Sequence, residues 1–223
     1  MPCMEKMEDI EILYEDDAIT VAVKPATLVS EQTERGDGFA DLLAARNRGG
    51  YVGVIHRLDR GVGGVMVYAR EPRVAARLSA AVQAHAFGKE YLAWVHGTPE
   101  PRATLRDLLF HDRMKNKTFV VERERRGVKE AILDYEAVRT VTDESGASKT
   151  LASVRLQTGR THQIRVQFAH RGHPLIGDGK YGARGDRCPI ALMSHRLRFP
   201  HPVTGEMMTF TCPWAQDEMW SAT

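Results

Sequence analysis

Cysteine is scarce in this chain of 223 residues, and the three that occur, Cys3, Cys188 and Cys212, are odd in number and far apart. That excludes a disulfide framework and a CxxC metal knuckle, and fits buried or incidental thiols. Long apolar runs are also missing. None approaches the roughly eighteen residues of a membrane-spanning helix, and the acidic residues 1–11 lack the basic, apolar and small-residue regions of a secretory signal. A cytoplasmic location is therefore expected. Repeats, low-complexity tracts and linker-like stretches are absent too, so a single mixed domain over 1–223 is expected, and nothing in it demands more than a monomer. Nine histidines are present, yet no HxxxH or HExxH spacing occurs, which argues against a metal-dependent hydrolase. No metal ligand set is assigned.

Hydrophobic residues at 43% and charged residues at 27% are globular values and exclude disorder and fibrous repeats. The net charge of +2 conceals an asymmetry. Residues 1–41 hold three Lys/Arg against eleven Asp/Glu, leaving 28 basic against 18 acidic residues from 42 onward. An excess of that sign suits a polyanion, because each neutralised phosphate releases condensed counterions.

Residues 11–14 and 18–24 predict two short strands around the Glu15-Asp16-Asp17 turn. Residues 37–48, with Phe39, Leu42 and Leu43 at near-helical spacing, predict a helix capped by Asp37. Residues 62–69 are apolar on both faces, as in a central strand, and Pro72 opens a helix whose inner face is Val74, Leu78, Ala81, Val82 and His85. Residues 90–96 resume as a strand. Over 102–130 the pattern loosens, with nine Lys/Arg against five Asp/Glu, and a mobile basic hairpin is expected. Residues 131–141 and 149–157 predict an antiparallel pair, Thr161 caps a helix through Arg171, and 191–199 with 207–211 predict a last hairpin. The glycines 177, 179, 182 and 185 make the stretch between irregular.

Three clusters carry chemistry. His56-Arg57-Leu58-Asp59-Arg60 sets one carboxylate between two guanidinium groups at the mouth of a buried strand, a position explained by an ion pair or by a reaction. Gly159 to Arg165 opens a helix with polar and basic residues, so that its N–H groups, Arg160 and His162 can hold a phosphate. Arg165, one turn in, can pair with Asp59; an adjacent guanidinium favours the charged form of a carboxylate, whether the pair is functional or structural. Tyr91, in Lys89-Glu90-Tyr91, is either a core tyrosine or a group for proton transfer or base stacking.

At these positions together the sequence resembles the RluA-type pseudouridine synthases over about residues 11–213. The matching segments are Tyr14-Glu15-Asp16, Lys24-Pro25, His56 to Arg60, Lys89 to Ala93 ending at Gly97, Gly159 to Arg165, Gly172 to Asp178, Lys180-Tyr181-Gly182, and Phe199 to Pro202 with Thr204-Gly205-Glu206, in order and spacing. The resemblance implies an α+β fold with a largely antiparallel central sheet flanked by helices and an active-site cleft between two halves. It implies an isomerase that converts uridine in ribosomal or transfer RNA to pseudouridine without a cofactor. Asp59 would be the essential aspartate, Arg165 its ion-pair partner and Tyr91 the active-site tyrosine. Arg57, Arg60, Arg160, His162, Gln163, Lys115 and Arg126 would contact RNA, with the target uridine flipped out of its stack.

Three positions depart from the family's pattern. Val62-Gly63 stands where Thr-Ser is usual, removing two hydroxyls and adding a glycine that loosens the backbone; Val23 replaces an asparagine, and Met193 a histidine. The altered loop keeps a second reading open, a catalytically impaired RNA-binding protein of the same fold. Replacing Arg165 by Met is expected to leave the fold intact and cost activity.

Overall fold

The computed structural model describes residues 10–144 and 146–212, which fall into two compact units. One comprises residues 10–89 with 194–212 and the other residues 90–193. Helices and largely antiparallel strands make both α+β, as expected from the pattern of short alternating runs.

In the first unit β1 (Ile12–Glu15) and β2 (Ile19–Lys24) form an antiparallel pair. Asp16 closes its turn by accepting the Ala18 and Ile19 N–H groups at 2.8 Å each. β2 pairs with β4 (Gly63–Ala69), whose residues from Gly64 to Ala69 are buried on both faces. A two-residue strand, β3 (Gly53–Val54), which the sequence pattern does not signal, adds to β4. β10 (Leu192–Pro200) lies on the other side of β4 and carries β11 (Met207–Thr211).

Helix α1 (Phe39–Arg46) begins later than the sequence predicts. Its N-cap is Gly38 and not Asp37; the Asp41 carboxylate reaches back to the Gly38 N–H (3.0 Å) and to the Thr33 N–H (2.9 Å), supplying what a capping side chain would. Helix α2 (Pro72–Gln83) starts on Pro72 and buries Val74 and Leu78. His85, placed on that face by periodicity, is exposed beyond the helix end in a left-handed conformation. Phe39 of α1 meets Tyr68 of β4 edge-on, and Phe87, between α2 and the strand that follows, stacks on Phe199 of β10; all four are buried.

The second unit is an antiparallel sheet in the order β5 (Gly88–His96), β9 (Ser148–Leu156), β8 (Val128–Thr142), β6 (Arg102–Asp112) and β7 (Lys117–Val121). The basic segment is thus a regular two-stranded hairpin. Leu105 and Leu109, four positions apart, point inward, and the residue between them on that face is Asp107, paired with Arg171 at 2.8 Å, so a charge on the inner face masks the alternation. Helix α3 (Gln163–His170) packs on β6 and β7, with Val166 clustered against Leu109 and Val120, while Phe168 meets Tyr135 of β8. Its N-cap is His162, held left-handed at φ 54°, and not Thr161. No helix among the described residues is long and apolar enough to cross a membrane.

Candidate active site

Asp59 sits half-buried on the loop between β3 and β4, flanked by the exposed Arg57 and Arg60. Its backbone is fixed from both sides. The buried Ser30 hydroxyl accepts the Leu58 N–H at 2.9 Å and donates to the Leu58 carbonyl at 3.1 Å, while the Val62 N–H closes a turn on the Asp59 carbonyl at 2.9 Å. Leu58 is itself buried, so the side chains on either side of it turn outward while their backbone is anchored. Arg57 reaches Glu31 at 2.8 Å in an exposed pair.

Beside this loop a lysine and a histidine side chain are taken out of water. Lys24, fully buried at the end of β2, donates to the Pro25 and Leu28 carbonyls at 2.8 and 2.6 Å. Burial pulls its ammonium down to about 8, against the opposing pull of the Asp59 and Glu31 charges. His56 is buried and held neutral: burial, with a smaller contribution from Lys89, lowers it to about 3. Where the Thr-Ser pair is replaced, Gly64 has φ +117°, and a side chain there would press within 2.2 Å of the Ser194 carbonyl oxygen. Glycine is obligatory at 64, and Gly63 is held in the β4 strand rather than loose.

In the second unit Arg165 forms a two-pronged pair with Asp178, Nε to Oδ2 at 2.7 Å and Nη2 to Oδ1 at 2.9 Å, with the Asp178 side chain 1% exposed. Gly177, at φ +76° and within 2.2 Å of the Pro189 carbonyl oxygen were it to carry a Cβ, turns the chain so that Asp178 faces Arg165. The Arg165 guanidinium also lies 5.1 Å from the centre of the Tyr181 ring. Gln163 is buried and spends its amide internally: Oε1 accepts from Thr158 (2.8 Å) and the Arg160 N–H (3.0 Å), and Nε2 donates to the Ile132 carbonyl (3.1 Å). His162 is buried against Tyr181, and Arg160 is half-exposed, its Nε on the Glu130 carbonyl.

A model of the family described as RNA pseudouridylate synthase matches residues 18–170 of the chain. The chain belongs to that family. This pseudouridine synthase is 32% identical to ribosomal large subunit pseudouridine synthase D of Pseudomonas aeruginosa, over 95% of this chain and 70% of that one. It is 30% identical to tRNA pseudouridine synthase C of Yersinia pestis, over 95% and 88% of the two chains. Human RNA pseudouridylate synthase domain containing 1 has the same fold, with a TM-score of 0.77 at 22% identity over 93% of this chain and 84% of that one. The RluA-type resemblance carried by the motifs is borne out, and the chain is an isomerase of RNA uridine.

Of the synthase's other expected site residues, Tyr91 is buried in β5 opposite Val154 of β9. Lys115 lies at the exposed tip of the β6–β7 hairpin and Arg126 in the exposed turn between β7 and β8. Sequence reasoning passed over Ser30, Asp178 and Tyr181. The last two stand in segments that carry the resemblance, Gly177-Asp178 and Lys180-Tyr181-Gly182; their glycines drew attention to backbone freedom and away from the acid and phenol between them. Ser30 has no signal of its own. Among the described residues no cluster of His, Cys, Asp or Glu is placed to hold a metal ion.

Proposed function

We propose that the protein, as a cytoplasmic monomer, isomerises specific uridines to pseudouridine in ribosomal or transfer RNA, with Asp59 as the catalytic carboxylate, Arg165 as its ion-pair partner and Tyr91 as the active-site tyrosine. The observation that carries this reading is the seat of Asp59, a half-buried carboxylate on a loop anchored by Ser30 and bracketed by two outward guanidinium groups. Such a loop presents an acid in fixed geometry without sealing it from a ligand. Support for the substrate comes from the relatives, one named for the large ribosomal subunit and one for transfer RNA.

The reaction breaks the bond from the anomeric carbon to N1 of the base, turns the base and forms a bond from the anomeric carbon to C5; the C5 hydrogen leaves to solvent and N1 takes a proton. A negative carboxylate serves this in two ways, by attacking the anomeric carbon or by removing a proton from the sugar's second carbon, and the phenol of Tyr91 is suited to the proton steps. A stacked uridine is unreachable, so the nucleotide is flipped at a cost of a few kcal/mol, offset by phosphate contacts from Arg57, Arg60, Arg160, Lys115 and Arg126. His162 and Gln163 serve this indirectly, by shaping the loop that presents Arg160.

The test is tritium release from RNA labelled at C5 of uridine. The natural protein is expected to release tritium and Asp59→Asn to remain at background while still binding RNA. Equal release by the two would remove Asp59 from the chemistry, and none from the natural protein on ribosomal and transfer RNA would favour the catalytically impaired RNA-binding reading.

A further inference from the structure

The Arg165–Asp178 pair is not isolated from the basic hairpin. The amide of Thr118, a buried residue near the start of β7, donates to the Tyr181 hydroxyl at 2.8 Å, and the same hydroxyl is hydrogen-bonded to His162 Nδ1, also at 2.8 Å. The Thr118 hydroxyl donates to the Thr161 carbonyl at 2.8 Å, just ahead of α3, and His111 on β6 reaches the same hydroxyl at 3.1 Å. At the tip, Lys180 Nζ donates to the Asn116 carbonyl at 2.9 Å. The aromatic ring of Tyr181 is engaged as well: the Lys117 ammonium of the hairpin and the Arg165 guanidinium lie 5.2 and 5.1 Å from its centre. The Tyr181 N–H donates to the Asp178 carbonyl at 3.0 Å, so the residue that seats the hairpin is one turn from the residue that grips Arg165.

Each of these interactions is ordinary; their convergence is not. One half-buried side chain offers its polar end to the hairpin and to the left-handed His162, and its ring face to the arginine that the proposed reaction needs. Left-handed backbone at a non-glycine residue persists only where neighbours hold it, and Tyr181, hydrogen-bonded to His162, is such a neighbour. We propose that Tyr181 is a positioning residue that couples the seat of the β6–β7 hairpin to the orientation of Arg165, so that RNA held by the hairpin and the guanidinium assigned to the catalytic carboxylate are set by the same side chain. The inference rests on the function proposed above and adds a residue and a role to it.

Two variants separate the hydroxyl from the ring. Tyr181→Phe removes the hydroxyl and keeps the ring; Tyr181→Leu removes both. Hydrogen exchange at the Thr118 amide reads the seating without RNA, and single-turnover pseudouridine formation across RNA concentrations reads binding and rate apart. For Tyr181→Phe the expectation is faster Thr118 exchange and a half-saturating RNA concentration raised by about fivefold, the worth of one net hydrogen bond, with a much smaller effect on the saturating rate. For Tyr181→Leu the same changes are joined by a saturating rate lowered by roughly tenfold or more, as expected when a positioned charge shifts by a fraction of an ångström. Unchanged Thr118 exchange and half-saturation in Tyr181→Phe would overturn the coupling, as would equal saturating rates in the two variants. Loss of rate only in proportion to loss of folded protein would reduce Tyr181 to a structural tyrosine. A natural protein that makes no pseudouridine would instead sink the proposed function, while the exchange arm would still report on the seating.

Discussion

His56 heads the motif that carries Asp59, and its imidazole is one of the costliest groups in the molecule to charge. Its Nε2 accepts the Val67 N–H at 3.5 Å, and its Nδ1 is buried without a hydrogen-bond partner among the described residues. In the unfolded chain the ring takes a proton near 6.5, whereas burial lowers the folded value to about 3. Below 6.5 the unfolded state therefore binds the extra proton, and stability falls as the pH drops towards 3. Between pH 7 and pH 4 this amounts to about 3 kcal/mol, so chemical denaturation at the two values is expected to show a loss of that order that His56→Gln largely removes.

Arg165 also bears on stability at the residue scale. Because Asp178 is sealed from water, Arg165→Met leaves a buried carboxylate without its two-pronged partner, and the expectation of an intact fold is revised to a loss of about 3 kcal/mol or more. Rates must then be compared on folded protein, where a fall of orders of magnitude is still expected in single-turnover assays. The acid, the arginine and the tyrosine are proposed for the site because each stands in one of the ordered motifs that carry the resemblance. Asp178 was not legible as the partner of Arg165, since the two are 13 positions apart and no periodicity links them.

Among the elements, β4 was the most readable, because a strand buried on both faces needs no alternation. What its sequence does not show is the approach of Ser194 to Gly64, which only the packing of β10 creates. Gly64→Ala is expected to destabilise the fold by roughly 2 kcal/mol or more, from the positive φ and the backbone clash together, as denaturant midpoints would show. The basic hairpin was the least readable, since Asp107 on its inner face masks the alternation of a strand. Lys115→Ala and Arg126→Ala are expected to weaken RNA binding and flatten its dependence on salt by about one ion for each phosphate no longer neutralised, measured by titration at several salt concentrations. An unchanged slope would place both side chains away from RNA.

For the molecule as a whole, the bias of positive charge from residue 42 onward and the ordered set of motifs lead to RNA chemistry, and family membership agrees. Helix starts were misplaced by one or two residues because Asp41 and His162 fill capping positions in ways the usual side-chain signals do not announce. The hydrogen bond joining Thr118 to Tyr181 spans 63 positions and is invisible to any local pattern. The central claim, that this chain makes pseudouridine through Asp59, is tested most directly by mapping pseudouridines in ribosomal and transfer RNA from cells with the gene, without it, and with Asp59→Asn in its place. The account predicts one or more sites that vanish without the gene and return with the natural protein but not with the variant. Identical maps in all three, or sites restored by Asp59→Asn, would contradict it.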